Sequence, residues 1–435
     1  MRLTTWPLLL AAMCVALVSG ACDCEWPTLG DDDSDDDSDD DLSDDDGDDD
    51  ADDDLGDDDA DDDTAPDDDS DDDLDDDSVD DDTGDDDSID DDTGLDCVWT
   101  IEEIAPAEAT LWGSAIAVNA LDQPMILANR IDTLGAYLAT RGDDGGWTHE
   151  LVDAEGYANT PAIALGADDE VHLAYWTGNP DPQYMTMRHT VGPPWVSDAV
   201  TISRLGRDDP SLAIGPDDAA HIGLGYCDYR GVGGYTESRT NRSGTWTLEW
   251  LLISNLMCPG VSVAVDANND TWIATSMPVP IWYDGPLLVA HGRIPFLWPT
   301  ETAAESVTPA KFSLALDPDG SPVVAFNQSS TSLYLGERRS AAWEITQLPA
   351  AGTVGNPRAL AIDTQGHRHL IVHNKLAHLL MYGNDVSGQW AFTTLDTIPL
   401  DWAWASLALD SLGRPHVSYT LEYPTHVRYA GCRAD

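Results

Sequence analysis

The sequence predicts an all-β fold: a seven-bladed β-propeller closed by an N-terminal strand that completes the last blade, preceded by a disordered acidic tract. Three observations carry this. A phrase recurs seven times, a tryptophan recurs once per repeat, and the last repeat ends one strand short. The phrase reads SAIAVNALDQPMI (from Ser114), PAIALGADDEVHL (Pro161), PSLAIGPDDAAHI (Pro210), VSVAVDANNDTWI (Val261), FSLALDPDGSPVV (Phe312), RALAIDTQGHRHL (Arg358) and ASLALDSLGRPHV (Ala405). Its shared alanines, Ala117, Ala164, Ala213, Ala264, Ala315, Ala361 and Ala408, are spaced by 47, 49, 51, 51, 46 and 47 residues. Short apolar runs broken by Gly, Asp and Asn turns at that period are the mark of a propeller blade.

Each repeat resolves into four strand-like pieces. In the first, small and large apolar residues alternate, as in Ser406 and Ala408 against Leu407 and Leu409. Both faces are apolar, which suits an inner strand pressed between neighbouring blades. A turn such as Asp317-Pro318-Asp319-Gly320 reverses the chain, and a second strand follows at once, as in His416-Val417-Ser418-Tyr419. The third strand shows in Tyr184–Arg188 and His426–Ala430, and the fourth opens with Trp147, Trp195, Trp246, Trp298, Trp343 or Trp390. After Ala408 only three strands fit before the chain ends. The missing fourth is predicted in Cys97-Val98-Trp99-Thr100-Ile101-Glu102, which parallels Trp147-Thr148-His149-Glu150. Such closure leaves the ring without an open end. It also brings Cys97 to Cys432 as a predicted disulfide, with Cys227 and Cys258 as a second expected pair on one face of the ring.

Residues 1–21 carry Arg2, an apolar run and then Ser19-Gly20-Ala21, the pattern of a secretory signal peptide and too short for a membrane span. The bond after Ala21 precedes Cys22, a candidate lipidation site, although Ser19 stands where a lipobox has an aliphatic residue. Residues 22–96 are predicted to be a disordered spacer. From 31 to 96 they hold 14 Asp-Asp-Asp triplets, and no Lys or Arg occurs between Arg2 and Arg130. Like charges keep such a segment extended, to an upper reach of roughly 220–240 Å. Its carboxylates suit weak, multi-site Ca2+ binding, but the triplets lack the ordered loop a tight calcium site needs. No other cofactor is expected.

Residues 97–435 are the predicted propeller. Of the 83 acidic residues 45 precede Cys97, leaving 38 here against 18 Lys and Arg. That excess repels phosphate backbones and anionic membranes, so no nucleic-acid partner is expected, and membrane contact only through a lipid anchor. The expected location is secreted or outer-surface, and the expected state monomeric.

The phrase S-L-A-L-D-x-x-G-x-P-H-V, with a tryptophan opening the fourth strand, resembles the blades of secreted bacterial β-propeller proteins of unassigned function. The resemblance covers nearly all of 97–435 and implies a fold, not an activity. With the leader and acidic spacer, the chain also resembles envelope-attached proteins of Gram-negative bacteria.

Histidine recurs eight residues after the shared alanine at His172, His221, His369 and His416. Blade symmetry spreads them around the ring, so they read as structural hydrogen-bonders rather than metal ligands, and no metal residues are assigned. No G-x-S-x-G, H-E-x-x-H or phosphate-cradling glycine loop occurs, and no catalytic residues are assigned. A sialidase-like box would need S-x-D-x-G-x-x-W, whereas the spacing here is S-x-x-x-D-x-x-G. Acidic pairs such as Asp208-Asp209 with Asp228, and loop arginines such as Arg204 and Arg207, keep a glycan-processing enzyme as the alternative. One set of loop aromatics, expected on one face, has no blade period. These are Trp112, Trp176, Tyr226, Tyr229, Trp282, Tyr283, Trp402, Trp404 and Tyr423, interleaved with Arg130, Arg230 and Asn374. Aromatics among polar groups suit recognition of a glycan or protein surface. The expectation is therefore a binding module; the second alternative is a structural envelope protein with a calcium-binding spacer.

Overall fold

The structure is a computed structural model. It describes residues 97–434 except 105–110, 131–134, 155–160, 178–183, 191, 193, 203–208, 227–233, 255–258, 278–283, 309–311, 329–331, 355–358, 399–403 and 422–425. The predicted signal sequence, Cys22 and the acidic tract lie outside these residues, as do Cys227 and Cys258. No described helix is long and apolar enough to cross a membrane.

The chain opens with β1 (Cys97–Glu103) and then forms blades in sequence. Blade one is β2 (Leu111–Val118), β3 (Pro124–Arg130), β4 (Ala136–Arg141) and β5 (Trp147–Asp153). Blade two is β6 (Ala162–Leu165), β7 (Val171–Thr177), β8 (Tyr184–Thr190) and β9 (Val196–Ile202). Blade three is β10 (Ser211–Ile214), β11 (Ala220–Tyr226), β12 (Gly234–Thr240) and β13 (Thr247–Ser254). Blade four is β14 (Val261–Val265), β15 (Thr271–Ser276), β16 (Gly285–Gly292) and β17 (Thr300–Val307). Blade five is β18 (Phe312–Leu316), β19 (Pro322–Asn327), β20 (Ser332–Arg339) and β21 (Ala342–Ala351). Blade six has its first strand in two pieces, β22 (Thr353–Val354) and β23 (Leu360–Ile362), before β24 (Arg368–Asn374), β25 (Leu379–Asn384) and β26 (Ala391–Thr397). Both pieces pair with β24, so the predicted four-strand blade becomes a five-piece sheet there. Blade seven is β27 (Trp404–Leu409), β28 (Pro415–Leu421) and β29 (His426–Ala434), with β1 added outside β29. Seven antiparallel sheets in consecutive order make this a seven-bladed β-propeller.

The predicted closure is present. β1 pairs with β29 from Cys97 opposite Ala434 to Glu103 opposite Arg428. Cys97 and Cys432 form a disulfide across 335 residues.

The recurring phrase explains how one blade is fastened to the next. Two residues before the shared alanine stands Ser211, Ser262, Ser313 or Ser406, each buried. Each hydroxyl accepts a backbone N–H from the next blade: Val263 to Ser211 (2.9 Å), Leu314 to Ser262 (3.1 Å), Leu360 to Ser313 (3.2 Å) and Ile116 to Ser406 (3.3 Å). Blades one, two and six carry Ala115, Ala162 and Ala359 at that position, where no hydroxyl is available.

A second fastening uses the turn after the first strand. Five residues after the alanine the backbone is left-handed in all seven blades: Asp122, Asp169, Asp218, Asn269, Gly320, Gly366 and Gly413. Short polar residues and glycine are those that tolerate this conformation. The four with side chains reach into the preceding blade's turn, accepting from Ser411, Ala120, Ala167 and Asp217 respectively at 2.8–3.0 Å. The seam between blades six and seven, with Ala359 and Gly413, uses neither device. There Asp396 accepts from the Tyr419 hydroxyl and the Arg428 guanidinium, both at 2.7 Å. Between blades one and two, Asp153 plays the same part for Tyr175 (3.1 Å) and Arg188 (2.9 Å).

Candidate functional site

Second strands end and first strands begin at one face of the ring, so the blade-to-blade loops and those from second to third strands emerge there. The strand ends position five predicted residues whose side chains are described: Arg130, Trp176, Tyr226, Trp404 and Asn374, which closes β24 and accepts the Ala377 N–H at 3.1 Å. Trp112 lies in β2, opposite Asn129, as a strand position. Tyr229, Trp282, Tyr283, Trp402, Tyr423 and Arg230 lie outside the described residues, together with Arg204, Arg207, Asp208 and Asp228.

Two of the five depart from expectation. Trp176 and Tyr226 are not loop residues but belong to the ends of β7 and β11, and they are only 3% and 1% exposed. Second strands are covered on both sides by neighbouring blades, so a large ring there enters the seam. The two rings meet edge-on, with centroids 6.4 Å apart. Tyr226 also stacks on Tyr235 at 4.1 Å and donates its hydroxyl to buried Glu237 at 2.9 Å, which Arg239 also engages at 2.6 Å. This is an internal aromatic and ionic cluster that ties down the loop face from beneath.

Trp404 and Arg130 are half-buried and stand nearer the surface. Trp404 opens β27, opposite Thr420, on the innermost strand of blade seven. Arg130 closes β3 opposite Leu111, next to the Trp112–Asn129 pair, and its guanidinium lies 6.0 Å from the centre of the Tyr137 ring. The bond between Ile116 and Ser406 links the two innermost strands a few residues further on. Arg130 and Trp404 therefore share the loop-face end of one seam, between blades seven and one, whereas the Trp112–Asn129 pair alternates to the sheet face of Leu127 and Met125, which pack toward blade two.

The four recurrent histidines are buried. Nδ1 of His369 lies 2.5 Å from the Tyr382 hydroxyl, that of His416 is 2.7 Å from Tyr429, and that of His221 is 2.8 Å from Thr271 of the next blade. His172 stacks on His189 with centroids 5.7 Å apart, and Glu170 lies between them. Burial pushes His172, His369 and His416 below the usual 6.5. Each therefore favours its neutral form, in a packing role. Among the described residues no group of three or more His, Cys, Asp or Glu is arranged to hold a metal ion.

The fourth-strand tryptophans also pack seams, and a spacing not read from the sequence organises them. Trp99, Trp147 and Trp298 each precede a glutamate by three residues, Glu102, Glu150 and Glu301, and each carboxylate accepts an indole N–H from the next blade. The donors are Trp147 (3.0 Å), Trp195 (2.8 Å) and Trp343 (3.3 Å). The W-x-x-E spacing was the available signal.

No protein-family model matches the chain, and no curated protein matches it. Solved structures with a similar fold include a mutant of the Aleuria aurantia lectin in complex with α-methyl-L-fucoside. It is 14% identical with a TM-score of 0.46, covering 68% of this chain and 100% of that one. A polysaccharide lyase is 12% identical with a TM-score of 0.47, covering 76% and 91%. The α-L-arabinanase of Penicillium chrysogenum complexed with arabinobiose is 11% identical with a TM-score of 0.46, covering 68% and 98%. At these identities the likeness is one of fold alone.

Proposed function

We propose that the protein is a binding module that recognises a glycan or a protein surface on the loop face of the propeller. The observation that supports it most is the register placing Trp404 and Arg130 at one end of the seam between blades seven and one. An aromatic ring and a guanidinium at one seam end offer a stacking face and directional donors to a polar ligand. Burial of Trp176 and Tyr226 narrows the surface to this sector and to the loop positions not described.

The test is a glycan array probed with the full chain and with Trp404→Ala and Arg130→Ala variants. Selective binding that falls in both variants supports a glycan ligand. Absence of glycan binding, with partner capture that Trp404→Ala still abolishes, supports the protein class. Binding of either kind that survives both substitutions overturns the assignment of the site.

The same proposal places the protein in an oxidising compartment, secreted or at the outer surface. The Cys97–Cys432 bond suits that setting. Mass spectrometry of the mature N-terminus would test lipidation of Cys22, and calcium titration of the full chain would test weak binding by the acidic tract.

A further inference from the structure

On the outer rim, away from the loop-face seam, an open cleft of about 350 Å³ separates β17 of blade four from the hairpin that leads into β21 of blade five. Its lining is Glu301, Thr302, Glu305, Trp343 and four alanines, Ala303, Ala304, Ala341 and Ala342. We propose that this cleft receives the lysine or arginine side chain of an extended peptide segment from a partner protein, the segment pairing with the free edge of β17.

The chemistry of the lining selects the charge of the guest. It contributes two carboxylates, one hydroxyl and an indole ring, and no basic side chain. A group that only donates hydrogen bonds, an ammonium or guanidinium, matches such a surface, and the ring adds a cation–π face. Glu301 is already committed: Arg338 binds it through two bonds of 2.7 Å, and these hold its carboxyl below the usual 4.5. Trp343 donates to the same carboxylate, which fixes the indole. Glu305 is exposed and has no ion-pair partner among the described residues, so it is the charge left for a guest.

The local backbone explains the space and points to a peptide. The pairing of β17 with β16 shifts register twice, around Leu287, over the stretch that carries Thr302 and Ala304. Such bulges bend a strand and re-aim its side chains. Alanines then floor the cleft where larger residues would fill it. β17 is the outermost strand of its sheet, so one row of its backbone groups has no strand partner. An extended segment laid there gains main-chain bonds and sends alternate side chains toward one face.

Calorimetry on the full chain tests this with an acetylated, amidated Val-Lys-Val-Lys-Val peptide, its glutamine counterpart and free spermidine. The expected result is saturable binding of the lysine peptide at one site, and none of the glutamine peptide. Glu305→Gln should weaken it about two- to fivefold, Ala342→Arg should abolish it by placing a cation in the cleft, and Trp404→Ala should leave it unchanged. Glu305→Gln alters one charge of a formal −64, so attraction to the whole acidic chain would not register it. Lysine-peptide binding indifferent to both Glu305→Gln and Ala342→Arg overturns the proposal. So does spermidine binding as tightly as the peptide while remaining sensitive to Ala342→Arg, since the guest would then need no strand.

Discussion

The carboxylate of Asp122 accepts both the backbone N–H and the hydroxyl of Ser411, each at 2.8 Å, across 289 residues of sequence. The amide bond in particular holds the Asp122 carboxyl below its usual 3.8. Asp122 also sits at a φ of 59°. Asp122→Ala should therefore destabilise twice over, through lost bonds and a left-handed Cβ, by about 1–3 kcal/mol in total. Asp122→Gly should recover the conformational part. Calorimetric unfolding of both variants checks this; equal losses would show that φ contributes nothing.

Removing any one seam serine leaves a buried amide without its acceptor. Ser211→Ala, Ser262→Ala, Ser313→Ala and Ser406→Ala should each cost about 1–3 kcal/mol. Urea unfolding should place the four losses within a narrow band, because the four bonds are alike in length and burial.

The two aspartate clamps are chemically alike but differ in what surrounds them. The blade one–two seam also has the Asp169–Ala120 bond, whereas the blade six–seven seam has neither repeated device. Asp396→Ala should thus lower the thermal midpoint more than Asp153→Ala, although each loses a bond to a charged partner worth about 1.5–3 kcal/mol. The reverse order in paired thermal melts would show that the clamps do not carry these seams.

Burial depresses the pKa values of His172, His369 and His416, so the unfolded chain binds protons first as pH falls. Their contribution is complete above the unfolded value near 6.5 and is lost progressively as pH drops from there toward each folded value. His369 faces Asp363, Asp385 and Tyr382, and His416 faces Asp410, Arg414 and Tyr429; the nearby carboxylates oppose the depression without reversing it. Melts between about pH 8 and about pH 5 should decline on the acid side, and His369→Gln should make that decline shallower. A parallel decline in the variant would assign the loss to other groups.

The ring was legible because its signal is repeated. Seven alanines at one period fixed the blade count, and a missing last strand beside Cys97 and Cys432 fixed the closure. The seam bonds were printed in the same phrase, as Ser211, Ser262, Ser313 and Ser406, but a buried serine on an apolar strand reads equally as a small packing residue until its partner in another blade is seen. Trp176 and Tyr226 misled for a related reason. Their lack of a blade period suggested surface chemistry, while their strands are covered on both faces. The rim cleft had no linear signature, because Glu305 and Trp343 come from different blades and the space between them depends on a shifted strand register.

Closure through β1 has a mechanical consequence. Tension arriving along the acidic segment that precedes residue 97 meets the fold at Cys97, and the sulfur bridge passes it directly to Cys432 on the neighbouring strand. The load thus bypasses the hydrogen bonds of β1, which would otherwise break in succession, and enters the last blade through a covalent link. With the bridge intact, force applied at residue 97 draws on the whole ring. With it reduced, the first structure to yield is the seven-residue strand that completes the circle.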